Sequence, residues 1–295
     1  MIERYAACDL CGAEDPVLLL RSPRLDGPLV RCRSCGLVYV GTRGHDYTFR
    51  GADARLSASL ADRVAELGLV RHEIEDAERP GRVQADRERL SRLRRHAGAG
   101  KLLDVGCATG TFLGLAGEAF DAAGVEPDPG TSEQARAAGR RVSTGALDDV
   151  PPAPGGFDAI TMFHVIEHLD SPRRTLERAR ELLAPGGVLM IETPTVDCIP
   201  FRWAPRHWRQ LIPDHYYFFS RTTLEELLRR CELEPVDYVK VGRRVSLRFL
   251  VDRMRRAGVP LTGAAHRLLR ALGLEELAVW INPGDIMSVI VRRGG

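Results

Sequence analysis

The chain has 295 residues, with 42 basic and 40 acidic side chains and a formal net charge of +2. That length suits one large domain with a small module beside it, and it leaves room for a sizeable core. The near balance of charge argues against a polyanion-binding surface and so against a nucleic-acid partner. No apolar run is long enough to span a bilayer, so no membrane partner is expected, and the opening "MIERYAACDLCG" lacks the apolar stretch of a secretion signal. A cytoplasmic location is the resulting expectation.

Residues 1–41 read as a metal module. Cys8 and Cys11 form "CDLC", Cys32 and Cys35 form "CRSC", and twenty residues separate the pairs. Two such knuckles can present four thiolates tetrahedrally to one Zn²⁺. Gly12 and Gly36 follow the second cysteine of each pair, where a tight knuckle needs a residue without a Cβ clash. The intervening "LLLRSPRLDGPLVR" predicts two short strands around an Asp-Gly turn. Four thiolates leave no open position, so the zinc is expected to be structural. Cys107, Cys198 and Cys231 are isolated and read as small buried hydrophobes.

Residues 42–98 read as linking helices. "LSASLADRVAELGLVRHEIEDAERP" and "VQADRERLSRLRRHAG" show helical apolar spacing with many Arg/Glu pairs, broken at Pro80-Gly81. The charge run is expected to be a solvated helix face.

From residue 99 onward the pattern alternates strand and helix, which predicts a mostly parallel sheet covered on both faces. "KLLDVG" is a short buried strand ending at Asp104, followed by Gly106, Cys107, Gly110 and a helix. The glycines allow a sharp turn and close approach of a ligand. About twenty residues on, a second strand ends in Glu126, an acidic residue placed to bind a ribose diol. "GFDAITMFHVIEH" gives a fourth strand and "LLAPGGVLMIETP" a fifth. Two later strands, "PVDYVKVGRR" and "DIMSVIVRR", complete seven. Residues 244–283 between them have helical apolar spacing and are expected to form a dimer contact, giving a homodimer, or a wall of an acceptor pocket.

These motifs resemble class I S-adenosylmethionine-dependent methyltransferases. "LLDVGCATGTFL", "GVEPDPGTSEQAR", "FDAITMFHVIEHLDSP" and "LLAPGGVLMIETP" follow that family's motifs in order and spacing, over roughly residues 82–242. The resemblance implies a Rossmann-like α/β fold, a seven-stranded sheet with its last strand antiparallel beside strand five. It also implies S-adenosylmethionine as cofactor. The Gly106–Gly110 loop with Cys107 would lie against the methionine part, Asp104 would orient that loop, and Glu126 would hold the ribose hydroxyls. Ala146 stands where an acidic residue is often found, so adenine would meet the backbone of Ala146 and Leu147, or Asp148. Phe163 and His164 would line the cofactor.

"MFHVIEHLD" places His164, Glu167 and His168 at the C-terminal end of strand four, the usual ligand side of such a sheet. "RWAPRHWRQLIPDHYYFFS", a lid over residues 200–220, brings Trp203, His207, Trp208 and His215 to the same side, before a helix whose capping box is expected at Thr222 and Glu225. Packing within the lid and contact with the acceptor are equally open for Trp203, His207 and Trp208. The combination resembles a broad bacterial group acting on sugars, quinones and other metabolites. More distantly it resembles small-RNA terminal methyltransferases that bind a divalent metal, with Glu167, His168 and His215 at matching positions and His164 in place of a glutamate. Three roles stay open for His164, Glu167, His168 and His215: a histidine general base, most simply His168 or His215; a second divalent metal site; or bracing of the turn and lid. The expected acceptor is a small molecule or glycan, through a hydroxyl of a sugar, glycan or natural-product intermediate. A sugar carbon acceptor, an RNA substrate with metal, and a non-catalytic zinc-ribbon binding protein are the alternatives.

Overall fold

The computed structural model describes residues 5–42, 80–256, 260 and 262–294. The first of the two expected linking helices lies outside the described residues almost entirely. The second is α1, Pro80–Leu93, with Pro80 at its start, where a missing N–H costs nothing.

The central sheet follows from the alternating pattern. β4 (Lys101–Val105) leads through a glycine loop into α2 (Thr111–Ala116). β5 (Asp121–Glu126), α3 (Pro129–Ala137) and β6 (Val142–Thr144) follow. Then come β7 (Phe157–Phe163), α4 (Pro172–Leu182) and β8 (Leu183–Pro194). The lid contains α5 (Ile199–Trp203) and a two-residue strand, β9 (Tyr217–Phe218), and precedes α6 (Arg221–Arg230). β10 (Leu233–Lys240) and β13 (Ile286–Arg293) close one edge. The strand order is β10-β13-β8-β7-β4-β5-β6. β13 runs antiparallel to both β8 and β10, while β8-β7, β7-β4, β4-β5 and β5-β6 pair in parallel. This is the Rossmann-like seven-stranded arrangement expected from the motifs. β4, β7 and β8 are buried on both faces, which explains their continuous apolar runs.

The insertion folds as a small hairpin, β11 (Arg243–Ser246) on β12 (Ala278–Ile281), with α7 (Leu247–Arg256) and α8 (Thr262–Ala271) between its strands. Leu268, Leu272, Leu277 and Trp280 on this insertion are exposed.

Two local expectations are corrected. The cap of α6 is Ser220, not Thr222: its hydroxyl accepts from the Thr223 N–H, and the Thr223 hydroxyl in turn accepts from the Ser220 N–H. The chain emerges from β9 at Phe218, so Ser220 is the first polar side chain able to meet the helix's orphan donors. The charged face of α1 is also not simply solvated. Asp86 and Arg92 are buried, and Arg92 reaches Asp237 on β10 at 2.8 Å and the Ser288 carbonyl on β13 at 3.1 Å.

The cysteine module is a sheet of its own, with a strand taken from elsewhere. β1 (Pro16–Leu20) and β2 (Leu29–Cys32) pair antiparallel, as do β2 and β3 (Val38–Val40). β9 of the lid then adds to β3, with Tyr39 opposite Tyr217 and Val38 opposite Phe218. One apolar core runs without a break from Leu29 and Val38 through Phe218 and Trp208 to Ile160 and Leu189 in the main sheet. The side chain of Asp9 accepts from the Ser171 hydroxyl and the Arg173 N–H, so the module also caps α4. Phe218, fully buried at this junction, is the residue whose loss should loosen the module from the main sheet. Phe218→Ala should cost about 3–5 kcal/mol. In hydrogen exchange, protection should fall together in 38–40 and 216–219 while the central strand Val188–Ile191 keeps it.

Candidate active site and metal centre

The glycine loop after β4 turns as its sequence requires. Gly106 has φ 67°, in the left-handed region, and an added Cβ there would come within 2.7 Å of Val165. The loop therefore lies directly against the turn after β7. Asp104 is buried behind it and accepts from the Thr161 hydroxyl at 2.6 Å. Burial pushes its carboxyl up to about 7, against the pull of that hydrogen bond.

Glu126, buried at the end of β5, accepts from the backbone N–H groups of Ala108 and Asp128, both at 3.0 Å. These bonds fix its carboxylate across the loop mouth. Leu147 is buried and Ala146 exposed; the Ala146 N–H is bonded to the Asp149 carboxylate. Asp148 pairs with Arg174 on the surface. Cys107 is buried within the loop, with its thiol pushed upward by burial. Phe163 packs edge-on to Phe112 at 4.9 Å. The residues at the loop, the ribose position and Phe163 thus fit a nucleoside-bearing cofactor.

At the end of β7 the chain turns at His164, whose φ of 59° is unusual for a residue with a Cβ. Its N–H donates to the Glu192 carbonyl on β8. Its ring lies between two carboxylates, with Nδ1 3.2 Å from Glu167 and Nε2 3.5 Å from Glu192. Burial alone would lower its pKa, but the two carboxylates raise it to about 9, so His164 is cationic at neutral pH. Glu167 is fully buried and accepts from the Thr193 hydroxyl at 2.8 Å as well. Burial opposes its charge, yet His164 and the neighbouring histidines hold it down at about 2.

The lid brings His215 onto His168, with ring centroids 4.6 Å apart. His168 Nδ1 lies 2.8 Å from the Asp214 carbonyl and His215 Nδ1 2.9 Å from the Gln210 carbonyl. A carbonyl can only accept, so each Nδ1 carries a proton. Burial, then His168, lowers the His215 pKa to about 4, so it is neutral. Glu167, His168 and His215 offer ligand atoms within 4.8 Å of one another. Trp208 is buried against Phe201 and Phe218 within the lid, whereas Trp203 and His207 are exposed.

The four module cysteines form a second cluster, again within 4.8 Å. Sγ–Sγ distances of 3.5 Å for Cys8–Cys35 and Cys11–Cys32 exclude disulfides and approach the spacing of about 3.8 Å around a tetrahedral ion with 2.3 Å bonds. Gly12 and Gly36 both have positive φ, 77° and 80°, as the knuckles require.

One partly buried group was not foreseen from the sequence. Arg89 of α1 binds Glu192 with two of its nitrogens and Asp86 at 2.7 Å, and its guanidinium stacks on Phe163 at 4.5 Å. The helical pattern of α1 marks Arg89 only as one arginine among many; nothing local signals a partner 103 residues away.

A doubly wound sheet with a glycine loop after its first strand and an acidic residue after its second defines a nucleotide-cofactor α/β protein. Residues 76–238, more than half of the chain, match the methyltransferase domain family, and the chain belongs to it. It is 28% identical over 159 residues to a ubiquinone biosynthesis O-methyltransferase of Cereibacter sphaeroides, covering 46% of this chain and 61% of that protein. It is 34% identical over 106 residues to a tRNA U34 carboxymethyltransferase of Syntrophotalea carbinolica, covering 33% of each. The chain thus spans less than two thirds of these relatives' length. Its fold resembles that of a Burkholderia thailandensis 1,6-didemethyltoxoflavin N1-methyltransferase solved with its acceptor and S-adenosylhomocysteine. There the TM-score is 0.50 and the identity 18%, over 90% of this chain and 99% of that one. Among the described residues no helix is long and apolar enough to cross a membrane.

The Arg89–Glu192 pair gives a direct test of the site's electrostatics. Arg89→Ala strands a buried carboxylate and should cost about 3–5 kcal/mol. Adding Glu192→Gln should recover part of that loss, and a double-mutant cycle by denaturant titration measures the coupling.

Proposed function

We propose that this chain is an S-adenosylmethionine-dependent methyltransferase that acts on a hydroxyl of a small molecule, of the sugar, glycan or natural-product kind. The observation that carries the reading is the contact of the Gly106 loop with the turn at Val165, next to the convergence of His168 and His215. Cofactor loop and histidines then share one rim of the sheet. Near-neutral charge favours a small acceptor over RNA.

When bound, the cofactor supplies an electrophilic methyl group on a sulfonium centre. Glu126 would hold the ribose hydroxyls, the Gly106–Gly110 loop with Cys107 the amino-acid end, and Phe163, Ala146 and Leu147 the purine side. His164, charged and held by Glu167 and Glu192, keeps the turn in shape. Activation of the acceptor hydroxyl falls to the His168–His215 pair, of which His215 is neutral at working pH. The lid over them excludes water and fixes the approach, from which much of the rate derives. The four cysteines would hold one structural Zn²⁺, and reduced thiols of this kind suit a cytoplasmic location.

Glu126→Ala should weaken cofactor binding by about 1.5–3 kcal/mol, roughly ten- to a hundredfold, measured by calorimetry. His168→Ala or His215→Ala should lower turnover while leaving that affinity nearly unchanged. Equal cofactor binding by wild type and Glu126→Ala would overturn the cofactor placement.

Asp104 adds a pH dependence. Its carboxyl sits near 7 in the free protein, and a cationic cofactor favours the ionised form. Binding should therefore release protons and tighten as pH rises through about 7. Asp104→Asn should flatten that profile, as read by calorimetry in buffers of different ionisation enthalpy.

A further inference from the structure

We propose that the insertion between β10 and β13 is a membrane-surface element, which seats the protein on a bilayer containing anionic lipid.

The positive charge of the chain is gathered there. Residues 243–280 hold eight arginines and three acidic side chains, a formal +5, although the whole chain carries only +2. The three acids are engaged within the insertion. Glu276 lies 3.4 Å from Arg248, while Asp252 and Glu275 flank His266 at 3.8 and 3.7 Å. Arg244, Arg255, Arg267 and Arg270 are exposed, with no acidic partner among the described residues.

Uncovered apolar side chains stand among these charges. Leu268 and Leu272 of α8 are 60% and 59% exposed, and Trp280 of β12 is 62% exposed. The two leucines are one helical turn apart and share a face with the exposed Ala264 and Ala271. At 100° per residue, Arg267 falls on the border of that face. In the hairpin, the register sets the exposed Arg244 directly opposite Trp280, so the two side chains stand on one face. Leu277, between the two elements, is exposed as well. Large apolar side chains uncovered in this number mark an interaction surface.

The chemistry of the surface selects its occupant. A single-stranded nucleic acid would answer the arginines, but leucines offer its bases nothing to stack on. A second copy would bring two faces of +5 together, and like charges oppose that pairing. An anionic bilayer answers both features. Arginine heads reach the phosphates, while the leucines and the indole enter the boundary between headgroups and chains. Among the described residues no helix is long and apolar enough to cross a membrane. That argues only against crossing, and the element would lie in the plane of the interface.

The topology gives the seat a direction. β10 ends at Lys240, opposite Met287, and β13 starts at Ile286, opposite Pro194 at the end of β8. The insertion therefore leaves the sheet at the rim where β7 and β8 end. On the reading of that rim as the acceptor end of a methyltransferase, the seat brings the site up to the bilayer, and the acceptor hydroxyl would belong to an amphiphile held there.

Flotation of the full-length protein with vesicles of phosphatidylcholine, alone or mixed equally with phosphatidylglycerol, tests the seat. Wild type should float with the mixed vesicles only, and added salt should release it. Leu268→Ser with Leu272→Ser should weaken binding about tenfold, and Arg267→Gln or Arg270→Gln about fivefold each. These side chains are exposed, and an unchanged thermal midpoint shows that the variants are folded. Wild type that does not float with the mixed vesicles overturns the proposal, as does undiminished flotation of the leucine variant. A lipid-free dimer in sedimentation velocity that the leucine changes dissociate also overturns it, by assigning the face to a second copy. So does binding to a single-stranded oligonucleotide that outcompetes the vesicles and is lost with the arginines but not with the leucines. Calorimetry with S-adenosylmethionine on wild type separates the two readings. Flotation without cofactor binding removes the methyltransferase and keeps the seat; cofactor binding without flotation removes only the seat.

Discussion

The buried carboxylate of Glu167 is the constraint around which this site is arranged. A charge removed from water is tolerated only where partners surround it. Here His164 and Thr193 bind its two oxygens, and its backbone carbonyl accepts from the Tyr216 N–H of the lid. The Tyr216 carbonyl accepts in turn from Val40 of the cysteine module. One residue therefore ties the end of β7, the end of β8, the lid and the module into one hydrogen-bonded unit. The same connections bring His215 of the lid onto His168, the residue after Glu167.

That chain of contacts changes the meaning of the N-terminal module. A separate zinc ribbon would be free to act as a docking arm. This one has a lid strand in its sheet and a share of the main apolar core. Four thiolates around an ion would fix β1 to β3, β3 would fix β9, and β9 would fix the position of His215 two residues before it. In the proposed reading, a structural metal and acceptor chemistry would be linked through this two-residue strand. The linkage would give the module a part in building the proposed site even though its cysteines lie outside it.

Much of this was legible in the sequence, and the exceptions share a cause. The strands follow from local periodicity, and the antiparallel last strand and the placement of Asp104, Gly106 and Glu126 from the family that the motifs resemble. The cysteine cluster follows from two spacings. The meeting of His168 with His215 follows from topology, since both lie beyond the C-terminal ends of adjacent strands. What could not be read depends on pairings between distant, individually ordinary residues. Arg89 and Asp86 sit on a helix whose charges look solvated, and only the fold supplies Glu192 as a buried partner. β9 is too short to carry a period, so its addition to β3 has no local signal. The Ser220 cap was misplaced by two residues because three hydroxyl residues stand nearly together and only the exit angle of β9 selects among them.

His164 joins these strands of the argument. A histidine in the left-handed region costs of order 1–3 kcal/mol and persists only where its surroundings over-determine it. Here they do: its N–H is held by the Glu192 carbonyl, and its ring is held by Glu167 and Glu192. Glu192 is itself anchored by Arg89, which lies on Phe163 and pairs with Asp86 of the same helix. The network alternates in sign from α1 through Arg89, Glu192, His164 and Glu167, and each charge is compensated by its neighbours. A change in how α1 seats against α2 and Phe163 must therefore be felt by the carboxylate beside His168 and His215. The glycine-loop side and the His168–His215 side are joined by short-range electrostatics, and a strained turn is the point where the two meet.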